Sequence, residues 1–412
     1  MSVGRWRYIG LLCGLLVMLT ACTLIPYPPK PPVFQPAIEP SLPSPFPRPY
    51  RQLTIDRLAR RQYGLGELRF TNVLDVTDTF TRMAMLYPSD DLLISGFINV
   101  PHSLNNATTV PAITVNQTMS ITIIPPMTTS ITAPVNTSTS LSLSLPVSPV
   151  LSMSINNPIT TQITPTGSEE TGSESTQTPK VPVIIVIHGT APRDEYQELA
   201  YTTEYADALS DEGYIVLHPD MRGYPPAEDG PNPMRIGYAL DVLNLVALVR
   251  QQAGQPGPLA HADPEAIGLW GHSMGGGVAL RTIVVSPHIR ATLLFASMSG
   301  DELTNHNKLL EFTLGRSGYW AETINETPNL GDLERLSPIN HLARVQSAVS
   351  IHHGTADLVP VDWSVDLCVR LGALNKDVEC FFYEDAVHDF YYEDYDLFQE
   401  RTMAFFERTL KN

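Results

Sequence analysis

From Val181 to the carboxyl end, short apolar runs alternate with segments of helical period. The first run, VPVIIVIHG, is apolar at nearly every position, as a strand covered on both faces must be. EYADALSDEGY, YALDVLNLVALVRQ and DWSVDLCVRLG read as helices, and so does a closing stretch near 394–410. IVLHPD, AIGLWG, ATLLFAS, AVSIHHG and VECFFYE read as strands. This alternation confines residues 180–412 to an α/β fold with a mostly parallel, doubly wound sheet and helices on both faces. No segment repeats at a period of about 20–50 residues, which argues against solenoids and propellers.

The chain ahead of this region changes character twice. Residues 26–49 hold 11 Pro in 24 positions, a density that favours extended polyproline II, so residues 22–50 read as a semi-rigid spacer. In residues 51–101, LTIDRLARRQYG reads as a short helix with a solvated Arg face. FTRMAMLYP and LLISGFINVP read as two strands around Pro88-Ser89-Asp90-Asp91. Residues 102–179 differ again: 30 of 78 positions are Ser or Thr, and there is no Lys, Arg, Phe, Trp or Tyr. Such a segment cannot bury enough apolar area to offset its ordering entropy, so a disordered insertion is expected. Strand-period alternation in LSLSLPVS and ITVNQTMSITI leaves a ragged β-hairpin as the alternative.

The amino terminus bears on location. Arg5 and Arg7 precede an apolar run from Ile9 to Leu19, and small residues follow, a pattern expected of an export signal over residues 1–21. The run falls short of the about 20 apolar residues that span a bilayer. Leu19-Thr20-Ala21-Cys22 resembles the bacterial lipobox, which implies cleavage before Cys22, lipidation of its thiol, and a membrane anchor in the cell envelope. An ordinary secretory signal with an incidental Cys22 is the other reading. Cys368 and Cys380 then remain as an even pair. Export would permit a disulfide between them, and two separate buried thiols fit as well. The net charge of −17 repels phosphate backbones, so no nucleic-acid partner is expected.

Chemistry concentrates at Gly271-His272-Ser273-Met274-Gly275, a G-x-S-x-G string between a buried strand and a helix. A nucleophile on that turn stands exposed at the carboxyl edge of the sheet, and flanking Gly residues remove Cβ atoms that would clash. A serine hydroxyl needs a base, and the base needs an orienting acid. Asp357 follows the strand AVSIHHG and His388 follows the strand VECFFYE, so both fall at carboxyl ends of consecutive strands, in the order Ser, acid, His. Asp385 and Asp389 sit too close to His388 to orient its ring, and Asp362 and Asp366 fall within the next helix. His352 and His353 lie in a strand and are set aside for catalysis, and His272 is assigned to packing. The backbone N–H groups of Met274 and Thr190 are the expected oxyanion donors. No cluster has metal-ligand spacing, so neither a metal nor a cofactor is expected.

Together these pieces resemble the α/β-hydrolase fold, and more narrowly the catalytic domain of prolyl oligopeptidase-family serine peptidases. The segments that carry the likeness are YPSDDLLISGFINVP, VIIVIHG, GYIVLHPDMRGY, IGLWGHSMGGGVALR, LSPINHL, IHHGTADLVPV and AVHDF. The resemblance implies a triad of Ser273, Asp357 and His388, with Asp220, Arg222 and Gly223 in structural roles. It further implies hydrolysis of a small acyl ester or short peptide through an acyl-enzyme. A β-propeller that filters substrate in many family members is not expected in the roughly 50 residues before the insertion. GHSMGGG also resembles cutinase-like polyester hydrolases, so a carboxylesterase is the alternative. A non-catalytic surface binding protein is a third reading. Residues 300–337, with Tyr319 and Trp320, are expected to form a small cap over the site.

Overall fold

The computed structural model describes residues 49–107, 180–200, 202–313 and 330–411. The chain divides into two units, Met1–Arg51 and Gln52–Asn412, and the second holds every strand. The export signal, Cys22, nearly all of the Pro-rich spacer, residues 108–179, and Tyr319 and Trp320 lie outside the described residues.

Among the described residues nine strands form one sheet: β1 (Arg69–Val76), β2 (Phe80–Ser89), β3 (Leu92–Pro101), β4 (Val181–Ile187), β5 (Ile215–Pro219), β6 (Ala262–His272), β7 (Ala291–Phe295), β8 (Ala348–Gly354) and β9 (Val378–Tyr383). Their order is β1-β2-β3-β5-β4-β6-β7-β8-β9. β1, β2 and β3 form an antiparallel meander, and β3 joins β5 antiparallel. From β5 onward every pairing is parallel. The chain goes from β4 to β5 on one side, then crosses back to β6 on the other. That reversal puts the ends of β4 and β6 side by side, where open α/β sheets bind ligands.

Burial follows the pattern read from the sequence. Every residue of β5, β7 and β8 is buried, as parallel strands between helical layers require. α2 (Thr203–Asp211) and α8 (Tyr392–Phe406) share a core with β6 and β7, in which Tyr205 stacks on Trp270 at 4.6 Å and Phe295 meets Phe398 at 4.6 Å. Each such side chain stabilises the fold by about 1.5–3 kcal/mol. α3 (Ile236–Gln252) and α4 (Met274–Val285) pack on each other and on β6. Both are apolar nearly all round, as fully covered helices are. α1 (Ile55–Leu58), α5 (Glu302–Thr313), α6 (Leu330–Leu336) and α7 (Val361–Ala373) are the other α-helices among the described residues. Cys368 on α7 and Cys380 on β9 are joined by a disulfide, which decides between the two readings left open above.

Two differences from the sequence reading concern the amino-terminal part. β1 was not foreseen. Seven of its eight residues are exposed, so it carries no alternation and is held by backbone pairing to β2. Order also continues past 102, where the insertion was expected to open. A 3-10 turn spans His102–Ala107, with Leu104 buried and the His102 ring bonded to Thr81 Oγ1 at 2.9 Å. β3 runs antiparallel to β5, so this turn lies at the amino edge of the parallel strands, the edge at which β4 begins.

Candidate active site

Ser273 follows the last residue of β6 and precedes α4. Its φ of 56° and ψ of −115° are costly for a residue with a Cβ. The turn is clamped from several sides. Ser273 N–H donates to Phe295 O at 2.8 Å, while Ser273 O accepts from the N–H groups of Gly276 and Met298. A Cβ on Gly275 would lie 2.1 Å from Ile187 O, so glycine there lets α4 start directly against the end of β4.

Asp357 and His388 meet as the sequence suggested. His388 Nδ1–H donates to Asp357 Oδ1 at 2.8 Å and approaches Oδ2 at 3.0 Å, and the carboxylate is fully buried. Three strand spacings separate β9 from β6, about 14 Å, so a residue after β9 reaches Ser273 only by crossing back over the edge. Gly354 makes this possible. Ala386 O would lie 2.2 Å from a Cβ at that position, and Ala356 N–H donates to the same carbonyl at 3.0 Å. The loop after β9 thus lies flat over the end of β8. It arrives at the elbow, where the rings of His388 and His272 are 4.8 Å apart and His272 Nε2–H donates to His388 O at 3.2 Å. Among the described residues Ser273 Oγ makes no hydrogen bond. Catalytic contacts of this kind often tighten only with substrate.

The loop after β4 is fixed by a polar group beneath it. Tyr196 OH donates to Asp220 Oδ1 at 2.7 Å, and Ser95 Oγ–H donates to Oδ2 at 2.6 Å. His188, with its pKa lowered by burial, bonds Asp220 O at 2.8 Å. Burial raises Asp220 to about 7 despite its two donors. Arg222 binds Asp241 with Nη2 at 2.7 Å, and Gly223 adopts a φ of 78°, so this strand end is tied into the fold. The N–H groups of Thr190 and Met274 make no backbone hydrogen bond among the described residues.

With this geometry in place, residues 184–397 match the family model described as the alpha/beta hydrolase family. The chain belongs to the α/β hydrolases. The nine-stranded sheet agrees with that assignment. No curated protein matches this α/β hydrolase. Among solved structures it is similar to an acetyl xylan esterase from Paenibacillus sp. R4, at 14% identity over 86% of this chain and 92% of that one, with a TM-score of 0.51. It is also similar to the acylaminoacyl peptidase of Pyrococcus horikoshii, at 18% identity over 81% of this chain and 42% of that one, with a TM-score of 0.50. A puromycin-hydrolyzing peptidase of Mycobacterium tuberculosis aligns at 18% identity over 57% of this chain and 35% of that one, with a TM-score of 0.45. The hydrolase spans about a third of that peptidase's length. At these identities the likeness is one of fold.

Several residues of the α/β hydrolase site were not singled out by sequence. His353, set aside as a strand residue, lies with Nε2 3.4 Å from Asp357 Oδ2. His272 is more than packing, since it holds the backbone of His388. Of the expected cap, α5 and α6 are described and residues 314–329 are not. Glu302, in the first turn of α5, is ion-paired with both Arg281 of α4 and Arg235, binding α5 to α4. A cavity of about 490 Å³ lies elsewhere. It is lined by Tyr63, Leu243, Pro264 and Glu265, toward the end of β6 away from Ser273. Among the described residues no group of three His, Cys, Asp or Glu could hold a metal ion, and no helix is long and apolar enough to cross a membrane.

Proposed function

We propose that this α/β hydrolase is an exported, lipid-anchored serine hydrolase that cleaves an ester or amide bond through an acyl-enzyme. The observation that carries the reading is the Asp357–His388 hydrogen bond, delivered across the edge of the sheet to the strained Ser273 turn. Ser273 Oγ attacks the acyl carbonyl carbon while His388 Nε2 takes its proton, and Asp357 holds the resulting imidazolium. The oxyanion is received by the N–H groups of Met274 and Thr190, which have no backbone acceptor among the described residues. As the tetrahedral intermediate collapses, His388 returns the proton to the leaving amine or alcohol. Water then attacks the Ser273 ester by the reverse sequence, releasing the acid.

A peptidase of the prolyl oligopeptidase type is the first reading of substrate, on the likeness of the Asp357 and His388 segments. A carboxylesterase is the second, favoured by the acetyl xylan esterase similarity over most of both chains. Fluorophosphonate labelling of wild type and Ser273→Ala, with turnover of a short acyl ester and an aminoacyl amide, tests both. Loss of label in the variant with amide turnover in wild type is expected, ester turnover alone selects the esterase, and unlabelled wild type sinks the enzyme reading. For the anchor, Cys22→Ser is expected to release the protein from membranes in fractionation, and retention there argues against it.

A further inference from the structure

Asp357 lies between two histidines. On its exposed side is His388. On its buried side is His353, in β8, with no exposed surface. His353 Nε2 lies 3.0 Å from Val359 O and 3.4 Å from Asp357 Oδ2, while Nδ1 lies 2.7 Å from Ser364 Oγ on α7. A carbonyl oxygen can only accept, so Nε2 carries the proton. Nδ1 is then the acceptor, and the Ser364 hydroxyl donates to it. The ring is neutral and pinned at both nitrogens. Val359 N–H completes the arrangement, donating to Asp357 Oδ1 at 2.7 Å, the oxygen that also receives His388.

We propose that His353 is a positioning residue for the acid: its Nε2–H, aimed between Val359 O and Asp357 Oδ2, fixes the rotation of the carboxylate so that Oδ1 faces His388. The inference rests on the Ser273–His388–Asp357 reading above and adds Ser364 and His353 behind it. The ring must stay neutral for this to work. A protonated His353 would donate from Nδ1 as well, invert the Ser364 bond, and place a second cation on the carboxylate that must hold His388. Burial works in that direction, lowering the His353 pKa, and the charged or titratable groups facing it are Asp357, His388 and, from β6, His272.

The experiment compares His353→Leu, His353→Gln and Ser364→Ala with wild type in kcat, KM and the pH profile of kcat/KM, normalised to fluorophosphonate-reactive sites. His353→Leu is expected to lower kcat about ten- to hundredfold, the scale of a displaced catalytic group, with KM within about twofold and a moved acidic limb. His353→Gln, which keeps an N–H near the ε position, should recover most of the loss, and Ser364→Ala should fall between. Wild-type kcat and acidic limb in His353→Leu would overturn the proposal, as would an equal loss in His353→Gln. Should His353→Leu fail to fold, wild-type kcat and an unmoved acidic limb in Ser364→Ala would overturn it as well. A Ser273→Ala control separates the two layers. Turnover surviving in it removes the triad reading, whereas a dead control beside a wild-type His353→Leu removes only the positioning role.

Discussion

On the β8–β9 side of Ser273, the polar atoms that bear on the proposed acid and base already have partners within the chain. Asp357 has His388 and Val359, His353 has Ser364, and the carbonyl of His388 has His272. On the β4–β7 side the N–H groups of Thr190 and Met274 have no backbone acceptor among the described residues, and beyond α5 the described chain breaks off until α6. Among the described residues one side has its polar atoms paired and the other has two N–H groups without a backbone acceptor. The difference separates two questions. How the proton would move in the proposed reaction depends on the closed side. What is cleaved depends on the open side, and a hydrolase fold does not dictate it.

The largest effect expected from disturbing the closed side comes from one methyl group. Gly354→Ala would put a Cβ within 2.2 Å of Ala386 O, so the loop carrying His388 must lift away from the end of β8. A loss of about a hundredfold in kcat is expected, the scale of a misplaced catalytic group, while the Ser273 turn itself is undisturbed. Steady-state kinetics on the purified variant check it, and kcat within threefold of wild type would show that the loop is not held there.

A smaller effect should come from acid. Burial holds His218, His272 and His352 at about 3, against 6.5 when unfolded. A histidine kept neutral contributes stability that is present above pH 6.5 and lost as pH falls toward 3. Asp220, raised to about 7, acts oppositely: its contribution is present below 3.8 and lost as pH rises through 7. Three groups outweigh one, so the thermal midpoint should fall steadily between pH 6.5 and 3, and a flat profile would count against buried neutral rings. His272 and His352 support the closed side and His218 the open side, next to His188, so replacing each in turn sharpens the comparison. The smallest effect is expected from Cys368→Ser with Cys380→Ser. Closing so short a loop stabilises by up to about 3 kcal/mol, so the midpoint should drop a few degrees with kcat unchanged. A large fall in kcat would mean that the bond positions His388.

The parallel strands could be read from sequence because burial on both faces leaves an unbroken apolar run. The turn at Ser273 could be read because its constraint is local, with Gly271 and Gly275 each two residues from Ser273. Asp357 and His388 followed from their places after consecutive strands. β1 left no such trace, since an exposed edge strand is held by main-chain groups common to every residue. His353 escaped for a different reason. Its meaning depends on Val359 and Ser364, which helix α7 and the loop before it bring back over the strand. Counting cysteines left the Cys368–Cys380 pair open, because parity says nothing about approach. The tie from Glu302 to Arg235 and Arg281 joins three separate stretches of chain, and no short motif announces it.

The described chain leaves the sheet at Ala107 and returns at Lys180, both at the edge where β4 and β5 begin, whereas Ser273, Asp357 and His388 gather where the parallel strands end. The sheet itself therefore stands between the two. A fluorescent domain or an affinity handle spliced in at Ala107 or Lys180 would therefore be attached at the edge of the sheet opposite Ser273.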